Sequence, residues 1–242
     1  MFGVRTWCIG MLTQLADCRV ASGPFQGMRY VGKAVESAFF PKLMGTYEKE
    51  LHGIWYRQIA AASSRWVVNI GAAEGYYAVG LLFSKATTTI ICFEESAVGQ
   101  SLIRALAAKN GITAGLEVRG RCDSAALRAC LAQSGVPAFV LCDIEGGELD
   151  VLTIEQVPQL ARCEMLVEVH ESVLPGIGTT LVDRFGATHQ ASKHLPQLRV
   201  ESDLPNHSSY WRILPTGYAL GLMDELRSPI DYWLHFVPRG GK

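Results

Sequence analysis

The sequence predicts an α/β fold built on a mostly parallel sheet with helices on both faces. Short apolar runs of strand length alternate with segments whose apolar residues follow a helical spacing. The first run, 66–70, turns at Gly71, and the next run, 90–93, ends at Glu94. A strand, a glycine turn, a helix and a second strand form a βαβ unit, which binds ligands at the carboxyl ends of its strands.

The spacing of the glycines in this turn indicates the kind of ligand. Dinucleotide-binding turns carry the pattern G-x-G-x-x-G, whose middle glycine lets the backbone approach a pyrophosphate. Here Ala73 occupies that middle position, and three residues separate Gly71 from Gly75. The wider turn favours a nucleoside without phosphate, such as S-adenosylmethionine, with Glu94 accepting both ribose hydroxyls. A nicotinamide or phosphate ligand, or a turn without a ligand, remains an open alternative.

Residues 1–62 are predicted to form a helical accessory segment, and residues 63–242 the sheet domain. Helices are predicted at 31–40 and 46–61, with Pro41 and Gly45 between them. The apolar stripe of the second helix is expected to dock against the sheet domain. The segment either packs there without a further role or forms a lid over the substrate.

Beyond Glu94 the alternation of helices and strands continues. Ser96 is a helix N-cap, 116–118 is a short strand, and another helix starts near Asp123. An acid after the third strand either accepts a hydrogen bond from the adenine amine of the cofactor or caps the helix, and the two roles are compatible. Cys122, its neighbour, is placed in the cofactor site with it.

A second stretch of chemical interest follows the buried strand predicted at 137–142. Asp143 ends this strand, and extended alternation would put Asp143 and Glu145 on one side of the chain. A further strand, at 165–169, brings three more polar groups to the same rim of the sheet, namely Glu168, His170 and Glu171. Acids and a histidine at adjacent strand ends are poorly explained as core residues.

Together these stretches resemble the FkbM-like methyltransferases over roughly residues 66–190. The motifs that carry the resemblance are Val68-Asn69-Ile70-Gly71 with Gly75-Tyr76-Tyr77, then Asp143-Ile144-Glu145-Gly146-Gly147-Glu148, then Glu168-Val169-His170. The resemblance implies a Rossmann-like class I methyltransferase fold with a seven-stranded sheet. It also implies S-adenosylmethionine as cofactor and O-methylation of natural-product or sugar hydroxyls. The acid-glycine motif is the specific one, because any class I methyltransferase shares the first glycine turn.

The predicted site combines this likeness with the strand ends. The residues assigned to the cofactor are Asn69, Gly71, Ala72, Glu74, Gly75, Tyr76, Glu94, Cys122, Asp123 and Asp143. The residues assigned to catalysis are His170, Asp143, Glu145 and Glu168. His170 is the best candidate for the base that accepts the acceptor's proton, since the ordinary pKa of histidine is about 6.5.

Two alternatives to a direct base remain open. A divalent cation could take oxygens from Asp143 and Glu168 and a nitrogen from His170, although no metal site is assigned from the sequence. The same side chains could instead form a hydrogen-bonded network that only stiffens the rim.

Charge and composition limit the classes of partner. The chain of 242 residues carries 22 basic and 23 acidic residues and no basic run, so it lacks the electrostatic footprint of a nucleic-acid-binding protein. We therefore expect a small-molecule or carbohydrate acceptor, and a homo-oligomer remains open. The alternative functions are methyl transfer to nitrogen or to a protein, and a catalytically silent binding protein with this fold.

The cysteines and two segments outside the motifs give further expectations. Seven cysteines without a C-x-x-C pair favour reduced core thiols and a cytoplasmic location. The apolar stretch at 7–15 is too short to cross a bilayer. Near the other end, 199–211 reads as a polar loop, and 231–237 as a last strand that inserts antiparallel.

Overall fold

A seven-stranded sheet organises the chain in the computed structural model, which describes residues 18–31, 38–61, 66–135, 137–205 and 215–240. The strands are β1 (Trp66–Ile70), β2 (Thr89–Phe93), β3 (Leu116–Arg119), β4 (Phe139–Cys142), β5 (Glu164–Val169), β6 (His189–His194) and β7 (Tyr232–Pro238). Their order across the sheet is β3-β2-β1-β4-β5-β7-β6. Strands β1 to β5 run parallel, and β7 lies antiparallel between β5 and β6. The predicted sheet, with its antiparallel last strand, is confirmed.

Helices cover both faces of this sheet. They are α1 (Phe39–Met44), α2 (His52–Ala61), α3 (Tyr76–Phe83), α4 (Ala97–Lys109), α5 (Ser124–Ser134), α6 (Glu148–Val151), α7 (Ile177–Phe185) and α8 (Thr216–Leu222). The helices α1 to α4 and α8 contribute to one buried cluster, and α5 to α7 contribute to the other. The predicted layer order of helix, sheet and helix is therefore confirmed.

Alternate residues of each central strand supply the two apolar layers. In β1, Val67 belongs to the cluster with α1 to α4, whereas Val68 belongs to the cluster on the opposite face. Ile90 and Ile91 in β2 divide in the same way. Burial of a side chain of this size contributes about 1.5–3 kcal/mol, so both faces of the parallel strands stabilise the sheet and fix its rim.

The N-terminal helices differ from the prediction in their bounds. Helix α1 runs through Pro41, so of the two residues predicted to separate the helices only Gly45, with a φ of 76°, ends it. Proline is tolerated at this position because it lies in the first turn, where a backbone N–H has no helical partner. The second helix begins at His52, after a 3₁₀ turn at Lys49–Leu51. Residues 32–37 of the first predicted helix lie outside the described residues.

The N-terminal segment packs directly on the sheet domain. The ring of Phe25 lies 5.4 Å from that of Tyr76, and the ring of Trp55 lies 5.8 Å from that of Phe139. Gly80 allows this contact, since a Cβ there would approach the Phe25 ring to 2.6 Å. Buried residues of the segment thus share one cluster with the sheet, and a division of the chain at residue 62 stays a prediction.

The described cysteines and helices bear on two further expectations. Within the described residues, Cys92, Cys122, Cys130, Cys142 and Cys163 are buried and form no disulfide, as predicted for core cysteines. Among the residues that the structure describes, no helix is both long enough and apolar enough to span a bilayer.

Candidate cofactor and acceptor site

A cleft of about 800 Å³ opens at the carboxyl ends of β1, β2, β4 and β5. This volume suits a small-molecule ligand. The predicted site residues that line it are Asn69, Gly71, Ala72, Tyr76, Glu94, Cys122, Asp123, Asp143, Glu145, Glu168 and His170. Glu74 and Gly75 belong to the same turn as Gly71 but do not line the cleft. The ends of β1 and β2 form its glycine-turn side, and the ends of β4 and β5 form its acid-histidine side.

Gly71 joins the two sides of the cleft. It has a φ of 76°, and a Cβ built on it would lie only 1.6 Å from the carbonyl oxygen of Asp143. The backbone N–H of Asp143 also donates to the carbonyl of Ile70 at 2.9 Å. Because only glycine fits this close approach, the turn after β1 and the acid after β4 lie side by side.

Glu94 is hydrogen-bonded to the glycine turn. One of its carboxylate oxygens accepts a hydrogen bond from the backbone N–H of Ala73 at 2.8 Å, and the other accepts from that of Ser96 at 2.8 Å. Gly99 leaves room for this arrangement, since a Cβ there would lie 2.8 Å from the Glu94 carboxyl carbon. The carboxylate, 21 residues beyond Ala73 in sequence, is thus held beside the turn.

Asp123 and Cys122 line the cleft beyond β3. The Oδ1 atom of Asp123 accepts a hydrogen bond from the N–H of Ala126 at 2.7 Å, so this acid caps α5. The N-cap role is confirmed, and the adenine contact stays a prediction. Burial raises the pKa of the Cys122 thiol to about 12, so the thiol is neutral at physiological pH.

Glu74 faces the N-terminal segment rather than the cleft. Its fully buried carboxylate pairs with Lys42 and accepts a hydrogen bond from the Tyr30 hydroxyl at 2.5 Å. Lys42 itself lines the cleft, with its Nζ 4.7 Å from the centre of the Tyr47 ring. This lysine was missed because helix α1 carries no motif, and only the tertiary contact with Glu74 marks it.

Three side chains on the acid-histidine side converge on one point. The Nε2 atom of His170 lies 3.6 Å from Oδ1 of Asp143 and 3.9 Å from Oε2 of Glu168. One ligand-type atom from each residue lies within 4.8 Å of the others. We call Asp143, Glu168 and His170 the acid-histidine cluster. The prediction that neighbouring strand ends bring these groups together is confirmed in its geometry.

Glu148 fixes the orientation of the histidine. The Nδ1 atom of His170 donates to Oε1 of Glu148 at 3.0 Å, and the Glu148 side chain is fully buried. The backbone N–H of Gly146 donates to the same oxygen at 3.2 Å. The sequence position of Glu148 predicts only a role in the first turn of a helix. Its bond to a residue 22 positions away was not foreseen.

Burial and mutual charge shift the pKa values in the acid-histidine cluster. Burial raises the pKa of Asp143 to about 6 and raises that of Glu168 well above the ordinary range, where the charge of Asp143 adds to the effect. Burial lowers the pKa of His170, but the hydrogen bond to Glu148 and the charge of Asp143 outweigh it and raise the pKa overall. The cluster therefore retains protons at a pH where separate carboxyl groups would have lost them.

Arg227 forms ion pairs with both the acid-histidine side of the cleft and the N-terminal segment. Its guanidinium contacts the Glu168 carboxylate and lies 2.8 Å from Oε1 of Glu48. The Glu48 side chain is fully buried and also accepts a hydrogen bond from Tyr77. Burial lowers the pKa of Arg227, but the charges of Glu48 and Glu168 raise it by more. The net pKa is therefore above the ordinary value, and the guanidinium stays charged. No sequence signal near residue 227 indicated this role.

Two acids lie differently from their predicted positions. The chain is not extended at Glu145, which has a φ of 57°, so the expected alternation with Asp143 is wrong, although the exposed Glu145 side chain still lines the cleft. Glu171 does not line the cleft. Its carboxylate accepts from the backbone N–H groups of Gly176 and Gly178 at 2.6 and 3.2 Å, at the start of α7.

Comparisons with known proteins bear on the fold. No protein-family model and no curated protein matches this sequence. An rRNA methylase from Streptococcus thermophilus superposes with a TM-score of 0.50 at 9% identity, over 78% of this chain and 96% of that one. The C-terminal domain of precorrin-6Y C5,15-methyltransferase from Rhodobacter capsulatus superposes with a TM-score of 0.44 at 16% identity, over 76% and 86%. The strand order and the first superposition show that this chain has the Rossmann-like class I methyltransferase fold.

Proposed function

We propose that this protein is an S-adenosylmethionine-dependent methyltransferase that methylates a hydroxyl of a small molecule, natural product or sugar. One observation carries the proposal: a single cleft is lined on one side by the glycine turn with Glu94 and on the other by the acid-histidine cluster. The FkbM-like motifs coincide with these two sides. The first side suits a nucleoside cofactor, and the second suits a hydroxyl that must lose a proton.

The glycine-turn side has free acceptor capacity for the cofactor. Each oxygen of Glu94 accepts one backbone N–H, so each retains a lone pair for a ribose hydroxyl. Asp123 uses Oδ1 to cap α5, which leaves Oδ2 for the adenine amine. Neither role requires a phosphate, in agreement with Ala73 at the middle of the turn.

Methyl transfer needs an aligned nucleophile and a destination for its proton. The acceptor oxygen attacks the methyl carbon in line with the carbon–sulfur bond, which breaks to release S-adenosylhomocysteine, while the acceptor hydroxyl gives up its proton. Alignment of the two reactants supplies much of the rate enhancement. His170 lines the cleft, and carboxyl oxygens of Asp143 and Glu168 lie 3.6 and 3.9 Å from its Nε2, so this cluster is the natural agent of deprotonation.

Charge favours a neutral or cationic acceptor over a polyanion. The acid-histidine side presents Asp143, Glu145 and Glu168 to the cleft, and the whole chain has a net charge of −1. Acidic residues outnumber the basic residues Lys42, Arg121 and Arg227 on the cleft wall, so a phosphate backbone would be repelled. RNA is the substrate named for the Streptococcus thermophilus protein, and at 9% identity that likeness extends to the fold alone.

Calorimetry followed by single turnover tests the proposal. We expect the purified protein to bind S-adenosylmethionine and S-adenosylhomocysteine at one saturable site per chain. Transfer from cofactor with a labelled methyl group should then give labelled methyl ethers with sugars or phenols. Absence of cofactor binding would overturn the proposal. Labelled methylamines in place of ethers would show that the acceptor atom is nitrogen and would overturn the hydroxyl acceptor.

A substitution of His170 tests the acceptor side separately. His170→Ala should lower turnover by about 10²- to 10⁴-fold, because deprotonation of the acceptor depends on this cluster. Affinity for S-adenosylhomocysteine should stay unchanged, since Glu94 and the glycine turn are untouched. His194→Ala, on the edge strand β6, is the matched control and should retain full turnover. Loss of cofactor affinity together with turnover would assign His170 a structural role.

A further inference from the structure

The distances from Nε2 of His170 to the two carboxyl groups of the acid-histidine cluster are too long for direct hydrogen bonds and suitable for a bound cation. The two separations from Nε2 of His170 are 3.6 and 3.9 Å. A hydrogen bond of this kind would be about 2.7–3.2 Å long. Ligand atoms on one octahedral cation, with bonds of about 2.1 Å, lie about 3 Å apart when adjacent and about 4.2 Å apart when opposite. The observed separations fall between those limits.

His170 makes the hydrogen bond that is typical of a metal-bound histidine. Its Nδ1–H donates to a fully buried carboxylate, that of Glu148, which fixes the ring and leaves the Nε2 lone pair facing Asp143 and Glu168. The His170 side chain is only 8% exposed, and its Nε2 makes no hydrogen bond within the described parts of the chain. A nitrogen on so buried a side chain, held 3.6 and 3.9 Å from two carboxyl groups but hydrogen-bonded to neither, is a second indication of a ligand.

The two oxygens of Glu168 have different neighbours. Arg227 contacts Oε1 of Glu168, whereas Oε2 is the oxygen that faces His170. Two carboxylates and one imidazole form a donor set rich in oxygen, which suits Mn²⁺ and Mg²⁺ better than softer ions. Three protein ligands leave further coordination positions for oxygens of water or of an acceptor.

We propose that Asp143, Glu168 and His170 bind one divalent cation of the Mn²⁺ or Mg²⁺ class, which holds the acceptor oxygen beside the glycine turn. The binding site stands on geometry alone, and its use in methyl transfer rests on the proposed function. A bound cation lowers the pKa of a coordinated hydroxyl, so the proton can leave to solvent and the oxygen can attack the methyl carbon. His170 is then a ligand, and deprotonation needs no separate base.

Manganese binding to chelator-treated protein is the direct test. Electron paramagnetic resonance reports free Mn²⁺, so a titration gives the affinity and the number of sites without reference to activity. We expect one Mn²⁺ per chain, displaced by excess Mg²⁺. Asp143→Asn and Glu168→Gln should each weaken Mn²⁺ binding by more than about tenfold. Substitution of a residue that only hydrogen-bonds to a metal ligand already costs about 10- to 100-fold in metal affinity. Asp150→Asn, a change to another acid on the cleft wall, should leave the affinity unchanged.

Separate measurements keep the two proposals distinguishable. Affinity for S-adenosylhomocysteine and thermal denaturation are recorded for every variant. Absence of stoichiometric Mn²⁺ binding, or equal weakening by Asp150→Asn, would overturn the cation site while the methyltransferase proposal stands. Mn²⁺ binding without any cofactor binding would support the site and overturn the proposed function. If Glu168→Gln does not fold, Asp143→Asn decides, because Asp143 is the more exposed of the two carboxyl ligands.

Discussion

The two sides of the cleft are built in different ways. On the glycine-turn side, Glu94 is held by backbone N–H groups of Ala73 and Ser96, all within one βαβ unit. On the acid-histidine side, Glu168 depends on Arg227, which lies 59 residues further along the chain. The first side is a local structure that a short stretch of sequence specifies. The second is a network of buried charges whose members come from distant segments.

This difference predicts which substitutions destabilise each side of the cleft. A backbone site is sensitive to steric change at its glycines and tolerant of lost charges elsewhere. A buried ionic network is sensitive to the loss of one partner, because the remaining charge stays buried and unpaired. Substitutions on the two sides should therefore separate effects on folding from effects on the cofactor.

The largest expected effect follows removal of the guanidinium that joins the acidic groups. Arg227→Met should lower the free energy of unfolding by about 3–5 kcal/mol, because Glu48 and Glu168 lose their shared cation in a buried setting. Urea denaturation of the purified variant measures the change. Arg121→Met is the control, since the Arg121 side chain lines the same cleft but is 78% exposed. A loss below about 1 kcal/mol for Arg227→Met would show that the network contributes little to stability.

Gly71→Ala should have the next largest effect. The left-handed backbone conformation costs a non-glycine residue about 1–2 kcal/mol, and the contact with the Asp143 carbonyl adds about 1–3 kcal/mol. We expect a loss of about 3 kcal/mol in the free energy of unfolding, together with weakened cofactor binding. Gly217→Ala is the matched control, because a Cβ there meets open space within α8. Equal stability of the two variants would contradict the close approach of β1 and β4.

The glycine-turn side was predictable because its determinants are close in sequence. Gly71, Gly75 and Glu94 lie within 24 residues of one another, and the strand, turn and helix pattern places them together. Glu74 misled the prediction because a turn pattern gives no direction for a side chain. Its carboxylate faces Lys42, whose position depends on how the N-terminal segment packs.

The acid-histidine side was predictable only in part. Parallel strands bring Asp143, Glu168 and His170 to one rim, and the sequence shows this. The contacts of Glu148 and Arg227 depend on tertiary packing, for which the chain carries no local pattern. The edge strand β6 was not predicted either, because it is polar and largely exposed and so lacks an apolar periodicity.

A smaller effect is expected at the acid that serves the glycine-turn side. Glu94→Ala should weaken binding of S-adenosylmethionine by about 1.5–3 kcal/mol, through loss of a charge-assisted hydrogen bond to the ribose. Isothermal calorimetry measures this difference. Glu95→Ala is the control, because Glu95 also lines the cleft but its side chain is 74% exposed. An unchanged affinity for Glu94→Ala would remove Glu94 from the cofactor site and erase the distinction between the two sides.

The smallest effect concerns the pH dependence of stability. The pKa of Asp143 is about 6 in the folded state, above the value of about 3.9 expected in the unfolded chain. The contribution of this carboxyl to stability is therefore fully present below pH 4 and is lost as the pH rises through 6. Asp143→Asn stays neutral, so it should avoid this loss.

Denaturation of the parent and of Asp143→Asn across this pH range, with chelator present, measures the difference. The variant should gain on the parent by about 1 kcal/mol between pH 4 and 7, a value reduced for solvent screening because the Asp143 side chain is 35% exposed. Near pH 2.5 the Asp143 carboxyl is neutral in both states, so the gain should vanish there, which makes that measurement its own control. Parallel stability curves over the whole range would mean that Asp143 titrates as an ordinary surface acid, and the acid-histidine side would then resemble the glycine-turn side in its electrostatics.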